Sequence, residues 1–96
     1  MKNNRDAIFY FANLGADVSR CITAAQQRNE KRYDDSLTRA HRTLEFLRKT
    51  ERPEAYEEGL LMLRGLALAR ATPEALASFQ VSLNSLISTF SDRLLI

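Results

Sequence analysis

Apolar residues in this chain recur at alternating intervals of three and four. Ile8, Phe11, Gly15, Val18, Ile22 and Ala25 form a first run, and Tyr33, Leu37, Ala40, Leu44 and Leu47 a second. Tyr56, Leu60, Leu63 and Ala67 form a third, and Leu76, Phe79, Leu83, Leu86 and Phe90 a fourth. A helix advances about 100° per residue, so each run lines one face, whereas a half-buried strand would alternate every second residue. None of the four segments alternates in that way. The fold class that follows is all-α, and the four runs are the candidate core.

Breakpoints between the runs come from capping chemistry. Thr72-Pro73-Glu74 reads as a helix start: a hydroxyl cap, a proline at the first helical position and an acid near the positive helix end. Pro53 marks an earlier start, with Glu54, Glu57 and Glu58 behind it. Gln26 to Lys31 lacks a periodic apolar residue, and Asn29 is its best cap. The spacing predicts helices near 4–27, 30–50, 53–71 and 73–94. Turns this short make neighbours antiparallel, giving a single domain over 1–96, an up-down four-helix bundle with small crossing angles of about 20°. Gly15, inside the first helix, is expected to permit a close helix crossing rather than to serve chemistry.

Several apolar residues lie off these faces. On the third helix Leu61 and Leu68 point roughly opposite to the core run, in a seam with Glu57 and Arg64. Phe9 lies opposite the first run, near Ala12, Ala16, Ser19 and Thr23, and Phe46 sits among Arg39, Arg42 and Lys49 on the second helix. Val81, Leu95 and Ile96 stray from the fourth run. The outer face of that helix carries Ser78, Ser82, Ser85, Ser88 and Thr89, with no charge between Glu74 and Asp92. A helix in a four-helix bundle has one buried sector, so a second apolar seam points to burial by another chain. The expected interface comprises Phe9, Ala16, Leu61, Arg64, Leu68, Ser78, Ser82 and Ser85. The expected partner is a second copy, with a homodimer favoured and another protein possible. Internal packing of these residues is the competing reading.

Residues 28–52 hold eight Lys or Arg against five acids. Arg28, Lys31, Arg32, Arg39, Arg42 and Lys49 share the face opposite the core run, with Phe46 among them. Such a face can track a phosphate backbone and stack on a base. This gives an alternative function, nucleic-acid binding or regulation. The plainer reading is a solvated face held by i,i+4 pairs, Lys31 and Arg39 each with Asp35, and Glu45 with Lys49.

Catalytic and metal chemistry has little to build on. His41 is the one histidine, at the edge of the second helix's core sector, and Cys21 the one cysteine, beside the first run. No Glu-x-x-His, no paired metal-ligand spacing and no Gly-rich phosphate loop occurs. Asp34-Asp35 and Glu57-Glu58 are adjacent and therefore diverge. We expect neither enzyme activity nor a cofactor nor a metal. The uncharged stretch from Ala75 to Ser91 is too polar to span a membrane, and Asp6, Asn13 and Asp17 interrupt any signal-peptide core. One cysteine fits a reducing compartment, so a cytoplasmic location is expected.

Tyr33-x-x-Ser36-Leu37-x-x-Ala40-x-x-Thr43-Leu44 resembles the second helix of a tetratricopeptide repeat. It departs from that family where Ser36 and Thr43 replace alanines and in having no second copy at a period of about 34 residues. Small four-helix proteins of the HEPN type carry an Arg upstream of a His, but Asp34, Asp35 and Ser36 occupy those positions before His41. The sequence therefore assigns no family.

Overall fold

The computed structural model describes the backbone of residues 4–95 and the side chains of 5–94. Four helices follow one another: α1 (Asn4–Gln26), α2 (Glu30–Arg48), α3 (Pro53–Ala69) and α4 (Pro73–Leu95). The starts of α2, α3 and α4 have the causes anticipated from sequence. Asn29 accepts the Arg32 amide at 3.0 Å, Thr72 accepts the Ala75 amide at 3.0 Å, and Pro53 and Pro73 open their helices. Leu95 and Ile96 lie outside the described side chains.

Side-chain pairs fix the directions. Tyr10–Phe46, Asp17–Thr43 and Cys21–Tyr33 run oppositely along α1 and α2. Phe11–Phe90 and Ser19–Gln80 do the same for α1 and α4. The bundle is flattened, 41 × 23 × 16 Å. Its short diagonal joins α1 to α3, while α2 and α4 lie on opposite flanks without touching. α1 therefore meets all three other helices.

That central position widens the buried face of α1 to Ala7, Phe11, Leu14, Val18, Cys21, Ile22 and Ala24, with Asp17 among them. Ile8 and Ala25, expected in the core run, are only partly buried. The correction on α3 is larger. Its buried stripe is Ala55, Gly59, Met62, Leu66 and Ala69, not Tyr56, Leu60, Leu63 and Ala67. The two stripes differ by one residue, a rotation of about 100°. Small residues win because α3 packs closely: a Cβ on Gly59 would stand 2.8 Å from the side chains of both Leu14 and Leu44. Gly15 serves a close crossing as anticipated, since a Cβ there would stand 2.2 Å from Ile87 Cδ1.

Candidate functional site

Three surfaces stand out, on α3, on the aromatic seam of α1 and α2, and in the groove beside it. Rotation of the core stripe of α3 leaves Leu60, Leu61 and Leu68 exposed, the last two at 55% and 73%. Glu57, Leu60, Leu61 and Arg64 surround a shallow dent of about 270 Å³. Neither Glu57 nor Arg64 forms an ion pair with a described residue. The seam of Glu57, Leu61, Arg64 and Leu68 is thus an amphipathic ridge facing away from the bundle's own core. Leu60, expected inside, joins it.

The remaining anticipated interface residues lie on other helices. Phe9 and Ala16 are exposed on α1, and Ser78, Ser82 and Ser85 on α4. Because α1 and α3 bury sectors against each other, their outer faces point to opposite sides of the molecule. Phe9 therefore cannot share one contact patch with Leu61. It belongs instead to a ring cluster on the α1/α2 seam that the sequence did not reveal. Tyr10 meets Phe9 edge-on at 5.3 Å and stacks on Phe46 at 5.4 Å. Lys49 Nζ stands 6.0 Å from the Phe46 ring centre. Tyr10, half-buried between two exposed rings, is the missing link; its place beside Phe9 in sequence put it on neither the core nor the outer face.

Further along the same seam lies a groove of about 430 Å³, lined by Ser19, Arg20 and Thr23 of α1 and by Arg32, Asp35, Ser36 and Arg39 of α2. Arg20 is held by Asp17 at 3.0 Å, and Asp17 accepts the Thr43 hydroxyl at 2.8 Å. Gln80 of α4 donates to the Ser19 hydroxyl at 3.3 Å. The expected i,i+4 pairs are not formed: among the described residues no ion pair joins Asp35 to Lys31 or Arg39. Glu45 turns from Lys49 to Arg48, three residues away, whose guanidinium holds that carboxyl below its usual range. Of the basic face of α2, Arg32 and Arg39 line the groove; Arg42, Lys31 and Lys49 continue the same face within about 100° round the helix, and Arg28 sits in the turn before it.

Catalytic geometry is not brought together by the two residues the sequence singled out. Cys21 is fully buried, its Sγ 3.9 Å from the Tyr33 carbonyl oxygen. Burial, with Asp17 adding to it, pushes the thiol up to about 11 despite the opposing charge of Arg70. A thiol so raised is a poor nucleophile near neutrality. His41 is exposed rather than at a core edge and makes no hydrogen bond with Cys21. At this end of the bundle Arg70 lies over the Tyr33 ring at 3.7 Å and grips Glu30 through Nη2 at 2.6 and 2.8 Å. That clamp ties the end of α3 to the start of α2, matching a cation to the negative helix end and an acid to the positive one.

Among the described residues no three His, Cys, Asp or Glu side chains are placed to hold a metal ion, and no helix is long and apolar enough to cross a membrane. Comparison with known proteins finds no matching family model, no similar curated protein and no similar solved structure.

Proposed function

We propose that this protein is a non-enzymatic interaction module that pairs with a second copy of itself through the outer face of α3. The observation that carries the reading is the dent flanked by Glu57 and Arg64. In a twofold contact the same patch must complement itself. Antiparallel pairing of two α3 helices about Leu60 and Leu61 brings each Glu57 opposite the other copy's Arg64, twice over. The leucines then fill the dents between the charge pairs. Neither charge has a described partner within its own chain, so both remain available for this contact.

α3 has 17 residues, a length of about 26 Å at about 1.5 Å per residue. A ridge of that size buries less than the roughly 800 Å² per partner of a standard stable interface. Pairing should therefore be reversible and concentration-dependent. We prefer it to nucleic-acid contact by α2 because the carboxylate of Asp35 stands among the basic residues of that face, where it repels a phosphate backbone. A cytoplasmic location suits the single free thiol, which is buried.

Light scattering after size exclusion, at two protein concentrations, tests the reading. The mass should rise toward twice the monomer value as concentration increases. Leu61→Glu with Leu68→Glu should return it to the monomer with helical circular dichroism unchanged. Monomeric wild-type protein at about 1 mM, well above the dissociation constants of working dimers, would sink the proposal. So would unfolding of the double variant, because the two leucines would then be needed inside.

A further inference from the structure

We propose that the α1/α2 groove binds a phosphorylated small molecule carrying free hydroxyls, of the sugar-phosphate class. The site is remote from the α3 ridge, and the inference does not depend on self-pairing. Three guanidiniums border the groove against one carboxylate. Arg32 and Arg39 stand seven residues apart on one side of α2 and form no ion pair with a described residue. Side chains of like charge on one wall are stabilised by an anion placed between them. Guanidinium forks match phosphate oxygens in geometry as well as charge.

Arg20 supplies the opposite wall with its orientation already set. Asp17 takes one of its nitrogens, and the buried Thr43 hydroxyl fixes Asp17 in turn. The other N–H groups of the fork remain for a ligand.

Ser36 lines the groove between these arginines, and its hydroxyl, which makes no hydrogen bond to a described residue, is open to solvent there and free to bond a ligand. Asp35 narrows the ligand class. One carboxylate among arginines disfavours a long polyanion but accepts hydrogen bonds from sugar hydroxyls. The volume, about 430 Å³, falls within the range of roughly 300–1,000 Å³ typical of small-molecule sites.

Ribose 5-phosphate is the probe, followed by calorimetry and by amide chemical shifts. Saturable one-to-one binding is expected, with shifts centred on Arg20, Arg32, Ser36 and Arg39. Arg32→Gln with Arg39→Gln should weaken it at least about tenfold, and Arg42→Gln with Lys49→Gln should leave it within about twofold. Asp35→Asn should erase the preference for ribose 5-phosphate over inorganic phosphate. The Leu61→Glu, Leu68→Glu variant should bind as the wild type does, which keeps this test separate from that of pairing. No saturable binding at about 1 mM would overturn the proposal. Equal affinity for inorganic phosphate in the wild type would overturn the hydroxyl contact. Tighter, steeply salt-dependent binding of a single-stranded oligonucleotide, weakened equally by both pairs of variants, would show a diffuse polyanion surface instead.

Discussion

Arg28 adopts φ 57° and Glu51 φ 61°, and both residues follow the end of a helix. In the first case the surrounding bonds are those of a Schellman turn. The Asn29 amide reaches back to the Ala24 carbonyl at 2.9 Å, and the Arg28 amide to that of Ala25 at 3.1 Å. Glycine dominates this position elsewhere because a Cβ is crowded in the left-handed region. The α1–α2 turn is thus made without glycine, at some cost in backbone strain. Arg28→Gly is expected to raise stability by about 0.5–1 kcal/mol, the relief of strain exceeding the added entropy of the unfolded chain. An upward shift of the urea midpoint at unchanged slope would bear this out; a downward shift would mean that the arginine side chain stabilises the turn.

Among the elements, α1 and α4 cross closely at Gly15. A methyl group there would collide with Cδ1 and Cγ1 of Ile87, at 2.2 and 2.8 Å. Alanine improves helix propensity by roughly 1 kcal/mol, which partly offsets the collision, so a bulkier β-branched residue is the cleaner probe. Gly15→Val should cost about 1–3 kcal/mol by overpacking. Adding Ile87→Ala should recover part of that loss, giving a coupling energy of about 0.5–3 kcal/mol in a double-mutant cycle. Additive costs would show that the helices separate freely. The crossing was readable because a lone glycine inside an apolar helix run has few other uses. Helix limits were readable for a comparable reason, since Asn29, Pro53 and Thr72-Pro73 act within one turn of their own position. The inward face of α3 was not. Tyr56, Leu60, Leu63 and Ala67 compete with Ala55, Gly59, Met62, Leu66 and Ala69, and hydrophobicity favours the first set. The choice is made by backbone proximity at Gly59, a property of the neighbouring helices. The same limit hid the groove: Arg20 and Arg39 belong to different helices, and Ser36 looks like an ordinary polar residue until α1 covers it.

For the molecule as a whole, the central place of α1 makes burial at Cys21 a matter of global stability. No part of this residue is exposed, and its thiol is raised from 9.0 to about 11, by burial first and Asp17 second. The neighbouring Tyr33 hydroxyl is raised as well, again chiefly by burial. In the unfolded chain the thiol ionises near its ordinary value, while the folded chain keeps its proton. Between pH 9.0 and about 11 the native state therefore binds more protons, and stability falls as pH rises. The contribution is fully present below pH 9.0 and lost as the folded thiol titrates near 11; its upper bound is about 3 kcal/mol, and Tyr33 acts in the same direction at higher pH. Urea unfolding near pH 8 and near pH 10.5 should show this loss in the wild type. Cys21→Ala should start from lower stability, because it opens a small cavity, yet lose less between the two pH values, keeping only the part due to Tyr33 and the other alkaline groups. Equal losses in the two proteins would assign the alkaline instability to groups other than the thiol, and would mean that the interior around α1 admits enough water to let Cys21 ionise in place.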